Sequence, residues 1–460
     1  MIIITCIILF CLLSGGSLSA NEVEDQLVAQ SDTSNREVKT GWNFGVLPGL
    51  SFDADKGFLY GLTANIYDYH DGNDYPGYRH YIYAECSYTT KKVGTFRLFY
   101  ESDYVVERHK LQVDLSYLPD IMSDFYGFNG SMSVFHHSYQ NVGSESFVSR
   151  SFYKHRSDLL RASAMLRGEM GYCLHWNAGA GVLHYDEGTV RHSAENPELF
   201  GLYREWGLID KNVAGGGWHP FVCLGLNFDS RDQRVSASKG IYLDLFLTYY
   251  AAFGKEKDYN CLKINADIIH FIPLVNNKLV LAYRVAAQNT LAGTAPYYLD
   301  SYHNVLFLDH NRYYGLGGAT TLRGVMKNRI WVPGFVASTV ELRSRLFSFK
   351  LFRQYFYLGT NVFVDAGMAT QQYALSEEDV NAVFSEQLAD PNSWLSLNNM
   401  GVTDFFDFDT NVFMPHIGVG AGLKLVMNEN FVISAEWATT FNSQDNFTNA
   451  NFYLVLGYMF

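Results

Sequence analysis

The feature that most constrains this chain is a two-residue periodicity. It runs from Gly41 to Phe460, in segments of about ten residues separated by turns. In His416 to Leu425 every second residue is apolar, and glycines, His416 and Lys424 fill the positions between them. Such alternation gives a β-strand one polar and one apolar face. The sequence therefore predicts an all-β chain, although a soluble β-sandwich would alternate in the same way.

Composition excludes several classes of protein. Apolar residues make up 48% of the chain and aromatic residues 16%, which excludes a disordered chain. Outside the first 20 residues no apolar run is long enough to form a membrane-spanning helix, so only β-strands could cross a bilayer. The net charge of −13, from 47 acidic and 34 basic residues, argues against a nucleic-acid partner.

The connections between segments favour a membrane barrel over a sandwich. About sixteen strand-like segments can be counted, and from the fifth onward short and long connections alternate, as in outer-membrane barrels. The short connections are Arg167 to Gly171, Asp229 to Lys239, Pro273 to Asn277, Ser348 to Gln354 and Met427 to Asn430. The long ones are Pro119 to about Val148, Glu187 to Gly217, Leu291 to Arg329 and Met368 to Val412. Because a sheet in hydrocarbon cannot leave edges unpaired, we predict a 16-stranded antiparallel transmembrane β-barrel over residues 41–460, with long loops outside and short turns in the periplasm.

The N-terminus predicts export. The run from Ile2 to Leu13 is apolar apart from Thr5, and small residues follow it up to Ala20. This layout is typical of a secretory signal peptide, here residues 1–20. A short N-terminal anchor helix is the alternative, because no Lys or Arg precedes the apolar run. Residues 21–40 are polar and are interpreted as a flexible periplasmic lead-in.

The chain offers no motif that predicts catalysis or metal binding. Four cysteines lie outside the predicted signal peptide, namely Cys86, Cys173, Cys223 and Cys261. They are far apart and form no C-x-x-C pair, which favours isolated small hydrophobic residues over disulfides or a metal cluster. Neither H-E-x-x-H nor G-x-S-x-G occurs, and Ser236 to Lys239 fits S-x-x-K only by chance. We predict no enzyme, no metal and no cofactor, with a Ser/His site assembled in space as the open alternative.

Several motifs resemble, in their order and spacing, those of one known family. They are the turn Phe228 to Gly240 with Asp229, Arg231 and Asp232, the loop tip Leu322-Arg323-Gly324-Val325, Glu341 in Val340 to Arg343, and Phe363-Val364-Asp365-Ala366-Gly367, with Phe125 to Asn129 as a looser match. Together they resemble the BamA/TamA family of outer-membrane assembly factors and the related two-partner secretion transporters. The sixth outer loop of that family carries a Val-Arg-Gly-Phe/Tyr-type tip, from which Leu322 and Val325 depart.

The resemblance implies that the long loop between strands 11 and 12 folds into the barrel as a latch. Arg323 would then pair with Glu341 and Asp365, which point inward by strand parity. Gly317, Gly318 and Gly324 would let the loop backbone pass close to the wall. A buried arginine needs such carboxylates, because an unpaired buried charge costs several kcal/mol. The alternative is a solvated outer loop whose arginine contacts nothing.

The sequence predicts a weakly paired junction, or seam, between the first and last strands. Pro48 in the first strand removes a backbone donor, which edges and bulges tolerate, and the chain stops at the aromatic Phe460. The resemblance implies that the seam between these strands parts sideways and templates incoming strands by β-augmentation. A bulge or a position at the membrane rim would also explain Pro48.

The predicted function is protein assembly or translocation at the outer membrane of a Gram-negative cell. Family members normally carry periplasmic POTRA domains, and only about 20 residues stand between the predicted signal peptide and the first strand. We therefore expect the lipid bilayer, client proteins and a periplasmic accessory protein as partners. A passive channel or a structural surface barrel is the alternative.

Overall fold

The computed structural model describes residues 39–53, 57–73, 78–190, 197–233, 236–275, 278–300, 315–351, 354–427, 431–446, 448 and 450–456. The predicted signal peptide and most of the predicted lead-in lie outside these residues. The strands within them are β1 (Trp42–Asp53), β2 (Gly57–Asp68), β3 (His80–Thr89), β4 (Gly94–Val106), β5 (His109–Asp124), β6 (Lys154–Gly171), β7 (Leu174–Gly188), β8 (Gly216–Asp229), β9 (Gly240–Tyr250), β10 (Cys261–Val275), β11 (Leu279–Gly293), β12 (Gly334–Leu351), β13 (Gln354–Gln371), β14 (His416–Met427), β15 (Phe431–Thr440) and β16 (Asn451–Leu456). The α-helices are α1 (Leu199–Glu205), α2 (Glu377–Ala389) and α3 (Trp394–Asn398).

The sixteen strands form one antiparallel sheet in which each strand pairs with the next along the chain. The predicted 16-stranded architecture is therefore confirmed. The sheet curves round into a barrel, so that Cα atoms of β1 and β16 come within 8 Å of one another. Within the described residues, no strand ladder joins these two strands. No described helix has the length and apolarity needed to cross a membrane.

The barrel wall separates apolar from polar side chains as the alternation predicts. On β8 the side chains of Val222 and Leu224 point outward, with exposed fractions of 57% and 67%, while Asn227 is buried inside. Trp218 and Trp437 lie on the outward face near the ends of β8 and β15 that meet the long loops, and each is about half exposed. Aromatic side chains in such a girdle mark the interface between hydrocarbon and headgroups.

The strands are longer than the sequence predicts. Arg167 to Gly171 was predicted as a connection, but β6 continues to Gly171 and the turn is Tyr172-Cys173. In the same way β10 continues to Val275. Sequence alternation ends where apolar residues end, whereas backbone pairing continues because its hydrogen bonds do not depend on side-chain polarity. The predicted alternation of long and short connections is retained.

The long connections pack together into a dome over one end of the barrel. Aromatic side chains fill it, and Trp206 packs against Phe384 and Phe405 with ring centroids 4.8 and 5.2 Å apart. The rings of Phe125 and Trp331 pack edge to face with centroids 5.3 Å apart, and this contact joins the dome to the loop between β11 and β12. Edge-to-face and tilted pairs of this kind contribute beyond the area they bury. The dome therefore covers the lumen at the end that carries the long loops.

Candidate functional site

The loop between β11 and β12 folds into the molecule. We define residues 315–332 as the latch loop; every residue in it is buried except Thr320, which is half-buried. Backbone bonds between Leu316 and Ile330, of 2.9 and 3.1 Å, close its base. At Gly317, whose φ is +119°, a Cβ atom would lie 1.9 Å from the Met326 carbonyl oxygen. Only glycine permits both this backbone conformation and this approach. The solvated-loop alternative is therefore wrong.

The guanidinium of Arg323 contacts three carboxylates. Its Nε and Nη2 donate to the two oxygens of Asp365 at 2.8 and 3.0 Å. Its Nη1 donates to Glu341 at 3.2 Å and to Glu436 at 2.9 Å. The backbone N–H of Arg323 also donates to Asp365, at 3.0 Å. The structure thus brings together the three residues that the sequence predicts and adds Glu436.

Two further cations balance these carboxylates. Arg343 donates to Glu341 at 2.9 Å, and Lys424 donates to Glu436 at 2.7 Å. With them the site holds three cations and three carboxylates, all nearly inaccessible to solvent. We name this set the latch ion cluster: Arg323, Glu341, Arg343, Asp365, Lys424 and Glu436. Because the cluster is neutral as a whole and internally hydrogen-bonded, its burial is tolerated, but loss of one member leaves an unpaired charge.

Each inward residue of the Phe363 to Gly367 motif has its own contact with the latch loop. The ring of Phe363 lies beneath the guanidinium, 3.3 Å from its central carbon, a cation–π contact. Two residues further on, Asp365 forms the bidentate ion pair. Gly367 leaves space for Leu316 and Leu322, since a Cβ there would lie 2.9 and 3.3 Å from their methyl carbons. The strand period of two places all three residues on the lumen side.

Strand glycines also form the surface on which the loop rests. A Cβ at Gly418 on β14 would lie 1.8 Å from the carbonyl oxygen of Arg323. A Cβ at Gly324 would lie 2.6 Å from the carbonyl oxygen of Thr439 on β15, and the φ of Gly324 is +91°. The backbones of loop and wall therefore touch directly at the tip of the latch.

The latch loop is also bonded to the last hairpin of the barrel. The N–H of Gly324 donates to the Tyr453 hydroxyl on β16 at 3.0 Å, and Asn446 donates to the Gly324 carbonyl at 3.0 Å. The N–H of Met326 donates to the carbonyl of Asp445 at 2.9 Å. The loop thus holds the connection between β15 and β16, and β16 itself, from inside.

Ser131, His416 and Asp445 form a buried hydrogen-bonded chain beside the latch loop. His416 contacts Ser131 Oγ through Nε2 at 3.0 Å and Asp445 through Nδ1 at 2.7 Å. This is the order of groups in a serine hydrolase triad. The three residues belong to three different outer connections or strand ends, so the chain also ties these segments together. Sequence reasoning left such a spatial site open and did not name its members.

The turn between β8 and β9 is organised by its charged residues. Arg231 pairs with Asp229 through Nε and Nη2, both at 2.9 Å. Asp232 accepts from the backbone N–H groups of Ser238 and Lys239 at 2.9 and 3.3 Å. Gly240, with φ of +106°, opens β9 where a Cβ would lie 2.4 Å from the Ser230 carbonyl oxygen. These contacts fix the turn and lie at the opposite end from the dome.

The seam residues are only partly described. Pro48 lies in the middle of β1, opposite Leu62, in a register that is continuous from Trp42 to Asp53. A bulge against β2 therefore does not explain this proline. Phe460, the other predicted seam residue, lies outside the described residues.

Comparison with known proteins identifies the family. The sequence profile of the Omp85 superfamily domain matches residues 80–460. A comparison with curated proteins finds no match. Among solved structures, the chain is similar to BamA from Haemophilus ducreyi lacking POTRA domains 1–3, at 14% identity and a TM-score of 0.55, over 91% of this chain and 70% of that one. It is also similar to CdiB from Escherichia coli, at 12% identity and a TM-score of 0.52, over 90% of this chain and only 62% of that one. At these identities the likeness concerns the fold, and the profile match carries the assignment: the chain belongs to the Omp85 superfamily.

Proposed function

We propose that this protein inserts or translocates client proteins at the outer membrane of a Gram-negative cell, without enzymatic activity of its own. The observation that carries the proposal is the latch loop. It occupies the lumen, packs against β12, β13 and β14, and bonds the hairpin of β15 and β16 from inside. Because the latch loop holds β16 from inside, release of the loop would allow the barrel to open at this last strand.

The seam supplies a physical route for client strands. Within the described residues every neighbouring pair of strands is joined by a ladder except β1 and β16. Pro48 lacks one backbone donor in the middle of β1. An incoming extended segment could pair with a strand at this edge and gain main-chain hydrogen bonds in an environment without water. The proposed partners are accordingly the bilayer, unfolded client barrels and a periplasmic accessory protein.

A passive channel is the second class of function, and the geometry of the lumen argues against it. A polar lumen conducts ions when water fills it. Here the buried latch loop lies inside the barrel and the aromatic dome covers its outer end. A conducting state would require both to move.

Locking the seam is expected to abolish client insertion. The protein is reconstituted into liposomes with an unfolded client barrel, and client folding is followed by its resistance to protease. In a background whose native cysteines are replaced by serine, a cysteine at Leu454 on β16 is paired with cysteines scanned along β1, and the pair with the highest oxidation yield is used. The oxidised protein should lose its acceleration of client folding and regain it on reduction.

The matched control is a disulfide between strands that are already paired. Ala435 and Leu454 are cross-strand partners on β15 and β16, so cysteines at these positions meet the distance a disulfide needs. Oxidation of this pair should leave client insertion intact. Unchanged activity after seam locking would refute the proposal, and steady ion conductance without any effect on clients would support the passive channel.

The Ser131–His416–Asp445 chain is expected to be structural. Ser131 is only 9% exposed and His416 only 2%, so a substrate carbonyl has little access to the hydroxyl. A fluorophosphonate probe should therefore leave the folded protein unlabelled, and Ser131→Ala should keep client insertion at the wild-type level. Labelling that disappears in Ser131→Ala would overturn the non-enzymatic assignment.

A further inference from the structure

A cavity of about 570 Å3 opens at the dome end of the barrel, beside the last strand. It is lined by the connection between β3 and β4, the facing ends of β5 and β6, the connection between these two strands, the latch loop from Val325 to Lys327, and the first residues of β16. This volume lies within the range of cavities that hold small-molecule ligands. The cavity is distinct from the latch ion cluster, none of whose members lines it.

The charge of the cavity is opposite to that of the chain. Its lining carries one aspartate, Asp124, and four lysines: Lys91, Lys92, Lys154 and Lys327. Lys154 forms an ion pair with Asp124, and Lys327 lies 4.0 Å from Asp120. The described lining thus carries more lysines than carboxylates, in a protein whose net charge is −13.

The lysines of the cavity come from three separate segments of the chain. Lys91 belongs to the connection between β3 and β4, Lys154 to β6 and Lys327 to the latch loop, and all three line the cavity. Lys91 and Lys92 are exposed at the rim, whereas Lys327 is 7% exposed. A ligand would thus meet two exposed lysines and one buried lysine. Lysine is a common partner of phosphate groups.

The position of the cavity indicates that a bound anion would come from the membrane. Phe452, which lines it, is 45% exposed on the outward face of β16, and its ring centroid lies 4.8 Å from that of Trp437. This aromatic pair belongs to the girdle that marks the headgroup level of a membrane. The cavity therefore combines several lysines with an aromatic side chain that faces lipid.

We infer that this cavity binds the anionic, phosphate-bearing headgroup of a membrane lipid that carries a net negative charge, with the phosphate among the lysines and the acyl chains along Phe452. The inference rests on the membrane placement in the proposed function. A bound headgroup would contact both Val325 to Lys327 of the latch loop and Asn451 to Tyr453 of β16. It would therefore join the latch loop to β16, the last strand at the seam, and should stabilise the closed barrel.

Calorimetric titration of the full chain in a neutral detergent tests the inference. The probes are dihexanoyl phosphatidic acid, dihexanoyl phosphatidylcholine and inorganic phosphate. We expect saturable binding of the phosphatidic acid, with a rise in the unfolding temperature, and much weaker binding of the other two. Lys91→Gln/Lys92→Gln should weaken phosphatidic acid binding by about tenfold or more, since a lysine near anionic lipid contributes about 1 kcal/mol.

The control variant is Lys255→Gln/Lys257→Gln, which removes two exposed lysines from the connection between β9 and β10, away from the cavity. It should bind like the wild type. Lys91→Glu/Lys92→Glu serves as a second test, and its folding is checked by heat-modifiability. Equal affinity in all variants, or equal binding of phosphatidylcholine, would overturn the inference, and tight binding of inorganic phosphate would place the anion in solution and overturn the lipid assignment. Because binding is measured without clients, its failure is separable from failure of client insertion.

Discussion

Replacing Arg323 by alanine is expected to prevent most of the protein from reaching its folded, heat-modifiable form. The change leaves Glu341, Asp365 and Glu436 buried with only two cations among them. Removing one partner of a buried ion pair typically costs about 3–5 kcal/mol, a large part of the stability of an ordinary domain. Asp365 is affected most, because Arg323 supplies both of its side-chain donors and one backbone donor.

Two further variants separate charge from geometry. Arg323→Lys keeps the charge but cannot form the bidentate pair with Asp365, so its urea-unfolding midpoint should fall between wild type and Arg323→Ala. Combining Arg323→Ala with Asp365→Asn restores charge balance and should recover part of the loss. Arg108→Ala is the control, since the Arg108 side chain is 88% exposed in the turn between β4 and β5. A normal yield of folded Arg323→Ala would refute the latch.

The fold could be predicted from the alternation of apolar and polar residues, because a membrane barrel requires this alternation in every strand. β14 illustrates this: Ile417 and Leu423 face outward, whereas residues at the alternate positions, such as Gly422 and Lys424, are buried inside. Loop lengths then distinguish the two ends of the barrel, since only one end carries the dome. Strand ends such as Gly171 were not predictable from the same signal, because there pairing continues after one face has ceased to be apolar.

The candidate site was predictable only in part. Strand parity and the family resemblance together indicated Arg323, Glu341 and Asp365, and the structure places these in contact. Glu436 was missed, although it lies on the polar face of β15 between Ala435 and Trp437. Parity states which side of the wall a residue faces, but not how far along the lumen it lies. That height depends on the register of β13, β14 and β15 and on the path of the loop, which no local pattern encodes.

Gly418 shows the same limit and offers the second large test. Its φ is not in the left-handed region, so alanine fits the strand itself, and the three atoms nearest to the added Cβ all belong to the latch loop, the closest being the Arg323 carbonyl oxygen at 1.8 Å. Because the atom it meets is backbone, the loop tip must move away from the wall. We expect Gly418→Ala to lower the stability of the barrel by about 1–3 kcal/mol or more, measured as the shift in the urea-unfolding midpoint. Client insertion should change with it.

A double variant, Arg323→Ala with Gly418→Ala, tests whether the latch loop causes the loss of stability in Gly418→Ala. Once Arg323→Ala has released the loop tip, the methyl group at Gly418 has less to displace, so the double variant should be less destabilised than the sum of the single variants. Gly45→Ala on β1 is the matched strand control, since a Cβ there has no neighbour within 4 Å. Strict additivity, or a Gly418→Ala protein as stable as Gly45→Ala, would mean that the loop does not rest on β14 in the folded barrel. The contact between the latch loop and β14 would then contribute nothing to the stability of the barrel.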